Sequence, residues 1–77
     1  MRTEDFISDL QEYLEFDTKL EIGTNFQEVE EWDSLSAMVL MSYVNDNFDF
    51  KITPADLESL TSISSLIDRI GRDKFED

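Results

Sequence analysis

The sequence predicts an all-α fold: a four-helix bundle with a long loop between helices 1 and 2 and a short third helix. Three observations carry the prediction. Apolar side chains recur at helical spacing over three separate stretches. Punctuation is sparse, with one proline (Pro54) and two glycines (Gly23 and Gly71), so those stretches run uninterrupted. A Thr-Pro pair at Thr53 and Pro54 marks the start of a further short helix. The 77 residues make one small domain covering 1–77, with a polar tail from about residue 72 expected to be mobile.

The first helix is predicted over Thr3–Phe16. Phe6, Ile7, Leu10, Tyr13 and Leu14 fall on one face, Thr3 is a candidate cap, and Glu4 and Asp5 suit the positive end of the helix dipole. Residues 17–33 show no clean period. Leu20, Ile22, Phe26, Val29 and Trp32 are spaced along them and are expected to pin a long loop across the bundle, with Glu28, Glu30 and Glu31 as its solvated face.

The second helix is predicted from Asp33 or Ser34 to about Phe48. Its stripe of Leu35, Met38, Val39, Met41, Val44 and Phe48, with Leu40 and Tyr43 beside it, is wider than one core face needs. That width implies contacts on more than one side. Strands are disfavoured because the run outlasts the usual strand. The third helix covers Ala55–Leu60, capped by Thr53. Thr61 or Ser62 caps the fourth, with Ile63, Leu66, Ile67 and Ile70 on one face and Gly71 at its end.

Composition excludes whole classes of function. There is no histidine and no cysteine, hence no imidazole base, no Ser-His pair, no thiolate metal site and no disulfide. The chain is not expected to be an enzyme. Its formal charge of −13 repels nucleic acid and anionic membranes and attracts basic protein surfaces. No apolar run reaches the length of a membrane span, and the N-terminus lacks a basic-then-apolar signal. A cytoplasmic monomer is expected, binding neither membrane nor nucleic acid.

Two motifs invite a chemical reading. "NDNFDFKITPAD" places Asn45, Asn47, Asp49 and Asp56 at calcium-loop spacing, but Phe50 stands where the sharp turn needs glycine. The expectation is no metal site and a polar connection closed by Phe48 and Ile52 packing inward. "EEWDSLSAM" puts Ser34 where an acidic loop meets an apolar helix. Asp33 or Ser34 serves as the helix cap on the simplest reading. An exposed serine at a helix N-terminus is also a place where a phosphodiester would be stabilised by free N–H groups and the dipole.

On these residues the chain resembles the acyl carrier proteins. The resemblance rests on "DSL" opening the second helix after a long anchored loop, "FDFKIT" leaving it, and "TSISSLIDRI" as the fourth; "EEWDSLSAM" is similar to stand-alone bacterial carriers with tryptophan before the aspartate. It implies that a separate phosphopantetheinyl transferase moves 4′-phosphopantetheine from coenzyme A onto Ser34. It also implies that Asp33 helps bind the transferase and its magnesium, and that Leu35 fits a pocket on it. The loaded arm would deliver an acyl thioester to acyl-loading and acyl-transfer enzymes with basic or apolar docking patches. Asp33, Leu35, Ser36, Val39 and Asp46 are the partner-recognition candidates. Met38, Met41, Val44, Leu60 and Leu66 are candidates to line an acyl pocket, with ordinary core as the alternative.

The chain departs from the family pattern on the second helix. Ser36, Val39 and Asn45, all expected to be exposed, stand where carriers of fatty acid biosynthesis have acids. That implies a dedicated partner in a specialised lipid, polyketide or cell-surface pathway. The alternatives are an aminoacyl or peptidyl carrier protein, with the same arm and other cargo, and an unmodified acidic helical adaptor.

Overall fold

In the computed structural model, which describes residues 1–76, four α-helices account for most of the ordered backbone. They are α1 (Thr3–Leu14), α2 (Ser34–Phe48), α3 (Pro54–Ser59) and α4 (Ile63–Ile70), and single 3₁₀ turns occupy Phe26–Glu28 and Arg72–Lys74. Among the described residues there is no strand, only an isolated antiparallel bridge between Asn25 and Ser62. The all-α class and the four-helix order match the sequence prediction.

Local chemistry sets the helix ends. Arg2, not Thr3, occupies the N-cap of α1, and Thr3 lies in the first turn. Glu15 ends α1 in the left-handed region (φ 57°), its N–H returned to the Glu12 carbonyl. Asp49 ends α2 in the same way (φ 51°), bonded to Asn45 O. Thr53 and Asp56 form a reciprocal capping box ahead of α3, with Pro54 at the first helical position. Ser62 and Ser65 form the equivalent box for α4, so Ser62 is the cap there.

The long loop is fastened at both ends. Near its start, Gln11 donates to the carbonyls of Phe16 (2.6 Å) and Thr18 (2.8 Å) and accepts from Leu20 N (2.7 Å). Further on, its backbone pairs with the start of α4: Ile63 N donates to Thr24 O (3.0 Å) and Ser64 N to Ile22 O (2.9 Å). These bonds satisfy first-turn amides that α4 cannot satisfy internally. Leu20, Phe26 and Val29 are buried as expected, while Ile22 is exposed. Glu31 is not merely solvated. Its carboxylate accepts from Asp17 N (2.6 Å), Thr18 N (3.0 Å) and Thr18 Oγ1 (2.7 Å).

The core joins Phe6 and Leu10 of α1, Leu40, Tyr43, Val44 and Phe48 of α2, Leu57 of α3, and Ile63, Leu66, Ile67 and Ile70 of α4. Each fully buried side chain of this kind stabilises the fold by about 1.5–3 kcal/mol. The buried face of α2 differs from the predicted stripe: Leu40 and Tyr43 are at its centre, and Leu35 and Met38 are exposed. The helix is apolar almost all round, so apolar spacing alone did not single out the inward face.

The C-terminal segment packs against the bundle through one side chain. Phe75 is buried, its ring 5.3 Å from Phe6 and 5.2 Å from Phe48, and Glu76 N donates to Met1 O (3.1 Å). A single aromatic residue in an otherwise polar run anchors it to the bundle.

Candidate functional site

The chain entering α2 is positioned by Trp32, whose indole meets Phe26 edge-on at 5.1 Å and whose backbone N–H donates to Val29 O (3.0 Å). Asp33 follows in extended conformation and takes the N-cap. Its Oδ1 accepts from Ser36 N (2.8 Å) and from Ser36 Oγ (3.0 Å). The Ser36 backbone N–H, and then its hydroxyl, hold the Asp33 carboxyl below the ordinary aspartate value, so it is charged at neutral pH. Glu31 is held low chiefly by the Thr18 hydroxyl and then by the Thr18 amide.

With the cap supplied by Asp33, Ser34 is left over. It is the first residue of α2 and exposed, and its hydroxyl makes no hydrogen bond among the described residues. It is one of the residues lining a groove of about 460 Å³ between α2 and α3, together with Asp33, Trp32, Ala37, Met41, Pro54, Leu57, Gln27 and Glu58. Gln27 fixes one wall by donating from Nε2 to the carbonyls of Leu57 and Leu60. The site thus offers an unused hydroxyl, open to a large partner, at the positive end of a helix fifteen residues long. Those properties fit covalent attachment of a phosphodiester-linked arm, and the mixed apolar and polar groove fits the body of such an arm.

The other predicted residues divide. Asp33, Leu35 and Asp46 are exposed, and Val39 is partly so. Ser36 was expected on the surface for partner recognition; it is buried, because its hydroxyl turns back onto Asp33 and lies 3.4 Å from Glu31 O. Met38 was expected to line a pocket in the bundle; it is 62% exposed. Its position is about 200° around the helix from both Ser36 and Leu40, the inward residues on either side. Val44 and Leu66 are fully buried, Leu60 is buried, and Met41 is half-buried at the groove. Sequence reasoning missed Gln27. A glutamine beside a buried phenylalanine gives no sign that it will bond residues thirty positions on.

Asn45, Asp46 and Asn47 belong to the last turn of α2 and Asp49 to its left-handed cap, so the calcium-like spacing falls on helix, not loop. Phe48 and Ile52 turn inward as expected. Among the described residues no group of three or more carboxylates is placed to hold a metal ion. No helix among them is long and apolar enough to cross a membrane.

The family model described as phosphopantetheine attachment site matches residues 5–70. Curated protein sequences give no significant match. Among solved structures the chain is similar to the solution NMR structure of a holo acyl carrier protein from Geobacter metallireducens, with a TM-score of 0.71. The two are 20% identical, and the match covers 91% of this chain and 82% of that one. At that identity the likeness establishes the fold, and the family match supplies the rest. The chain therefore belongs to the phosphopantetheine-attachment family, non-catalytic carriers that hold their cargo on a covalently bound 4′-phosphopantetheine arm.

Proposed function

We propose that Ser34 Oγ is the attachment point and that the chain is an acyl carrier protein serving dedicated partner enzymes. One observation carries this reading: Asp33 caps α2 through Ser36, which leaves the Ser34 hydroxyl exposed and without a structural task. When bound, the arm supplies the terminal thiol that a chain without cysteine lacks, and the acyl group travels on it as a thioester. Asp33, charged and exposed, contributes to the transferase contact, and Leu35, 66% exposed, offers it an apolar side chain. The groove of Ala37, Met41, Pro54 and Leu57 shelters the arm, and Val44, Leu60 and Leu66, buried in the core, are the side chains that would part around a longer acyl tail.

The surface supports a specialised role. On α2 the only acid is Asp46, so generic enzymes that dock through basic patches have little to grip there. A monomer is expected, since two copies each carrying −13 repel one another, and the cytoplasm is the expected location.

The test is intact mass after incubation with coenzyme A and a broad-specificity transferase. The unaltered protein gains one phosphopantetheine and Ser34→Ala gains none. Modification persisting in Ser34→Ala rejects the site, and no modification of either protein supports the unmodified adaptor instead.

A further inference from the structure

A second groove, of about 450 Å³, adjoins the one at Ser34. Ser42 and Asn45 of α2 form one wall and residues 51–54 the other, and Met41 and Pro54 border both grooves. Its lining sets it apart in a chain with 19 acidic side chains. The groove at Ser34 includes Asp33 and Glu58, the one between α1 and α2 includes Asp46, and the one beside Gln11 includes Glu4 and Asp17. No carboxylate among the described residues lines this second groove, and it holds a lysine, Lys51. Lys51 is exposed, and its ammonium has no ion pair or hydrogen bond among the described residues, whereas Arg2, Arg69 and Arg72 are paired with Glu4, Asp56 and Asp68. Asp56, close by in sequence, is already engaged by Thr53 N (3.2 Å) and by Arg69 (3.3 Å). The Ser42 hydroxyl and the Asn45 side-chain amide have no protein partner among the described residues either.

Position relates this groove to the arm. Ser42 and Asn45 follow Ser34 by eight and eleven residues, about 12–17 Å along the helix axis at 1.5 Å per residue. An extended phosphopantetheine arm covers that distance, so its cargo end falls near Lys51. Chemistry then divides the cargo. An apolar acyl tail gains by entering the core among Val44, Leu60 and Leu66. A carboxylate cannot follow, because a buried, unpaired charge costs far more than burying the tail gains. On the surface the net charge of −13 repels it, but charges more than about 8 Å away are largely screened at physiological ionic strength, so the nearest charge decides. We infer that the Lys51 groove receives the anionic end of the cargo: an acyl group with a carboxylate remote from its thioester, paired with Lys51 and hydrogen-bonded by Ser42 and Asn45. The inference rests on the carrier reading and gives it a substrate class. An exposed ion pair is weak on its own, but the tether holds the carboxylate at a high effective concentration beside the groove.

The experiment loads the protein from glutaryl-coenzyme A, and separately from pentanoyl-coenzyme A, with a broad-specificity transferase. The two acyl groups have equal carbon number and differ by the carboxylate. Intact mass records the loading, and NMR records where each cargo lies, with the unacylated holo-protein as reference. Glutaryl cargo should shift the amides of Ser42, Asn45, Lys51 and Thr53, and added sodium chloride should diminish those shifts. Pentanoyl cargo should leave these amides in place. Lys51→Gln should lower occupancy of the groove by the glutaryl group about two- to fivefold, and Lys51→Arg should restore it. Lys19→Gln, which removes a lysine from the groove that holds Glu4 and Asp17, should change nothing. Circular dichroism verifies that each variant is folded. Equal shifts from both cargoes, glutaryl shifts undiminished by Lys51→Gln, or glutaryl shifts confined to Val44 and Leu66 would each overturn the inference. A loaded protein with no shift in the groove overturns this inference alone, whereas no gain in mass from either donor overturns the carrier reading with it.

Discussion

Replacing Ser36 with alanine, and separately Ser34 with alanine, should split two properties between hydroxyls only two residues apart. Ser36 is 8% exposed, and its hydroxyl donates to Asp33 Oδ1 at 3.0 Å. Removing such a bond costs about 0.5–1.5 kcal/mol. In a domain of this size each kcal/mol moves Tm by about 4–8 °C, so Ser36→Ala should melt roughly 2–12 °C lower. The site stays whole, because Asp33 keeps the Ser36 backbone N–H at 2.8 Å and Ser34 still opens the helix. Phosphopantetheine should therefore load normally. Ser34→Ala removes a hydroxyl with no partner among the described residues, so its stability should stay within about 0.5 kcal/mol of the parent while loading is lost. Ser36→Asp should be worse than Ser36→Ala, since it buries a carboxylate against Asp33. The assays are thermal unfolding by circular dichroism and intact mass with coenzyme A and transferase. The reasoning is refuted if Ser36→Ala melts with the parent while Ser34→Ala does not, because the cap would then depend on the wrong serine.

Three further outcomes follow from the packing and charge. Phe75→Ala should cost about 3–5 kcal/mol by urea denaturation, a large part of the roughly 4–12 kcal/mol usual for a chain this long; a loss under about 1 kcal/mol would mean the segment contributes no packing. Glu31 is held below its ordinary value of 4.5 in the fold, so its contribution is present above that value and is lost as pH falls through the lower folded value. Glu31→Gln should thus be less stable than the parent at neutral pH, with the gap closing below pH 4.5; a gap constant down to about pH 3 would contradict this. Sodium chloride should raise Tm as the Debye length shrinks to about 8 Å and the self-repulsion of −13 charges is screened, and a flat response would remove repulsion as the limit on stability.

What the sequence revealed depended on whether the signal was local. Thr53-Pro54 and Ser62 announce α3 and α4 because a cap acts within three residues, and both boxes formed. Ile63, Leu66, Ile67 and Ile70 are all buried because they share the one apolar face of α4, with Ser64, Ser65, Asp68 and Arg69 on the rest. α2 has no such contrast, so its broad stripe, with Leu40 and Tyr43 beside it, did not separate the inward Leu40 and Tyr43 from the exposed Leu35 and Met38. Long-range bonds left no trace either. Glu31 reaches back to Asp17 and Thr18, and Gln27 forward to Leu57 and Leu60, across separations that periodicity does not sample. Phe75 was hidden by its polar neighbours. At the site, position alone placed Ser34 at the start of α2. It did not say which of Asp33 and Ser34 would cap, or that Ser36 would turn inward.

The breadth of the apolar surface on α2 has a physical account in three sectors. Leu40, Tyr43, Val44 and Phe48 hold the bundle together. Ala37 and Met41 form one wall of the groove beside α3. Leu35, Met38 and Val39 form the other groove beside α1. A helix required only for stability would need the first sector alone, and polar residues elsewhere would improve solubility. The same division of labour appears among the polar groups where the loop meets the helix. The Glu31 carboxylate ties down Asp17 and Thr18. Asp33 caps α2, and Ser36 is bonded to Asp33. Each of these side chains is engaged in holding the loop or the helix end in place. Ser34 lies among them with its hydroxyl outside that network, and the bonds around it keep it exposed at the head of the helix.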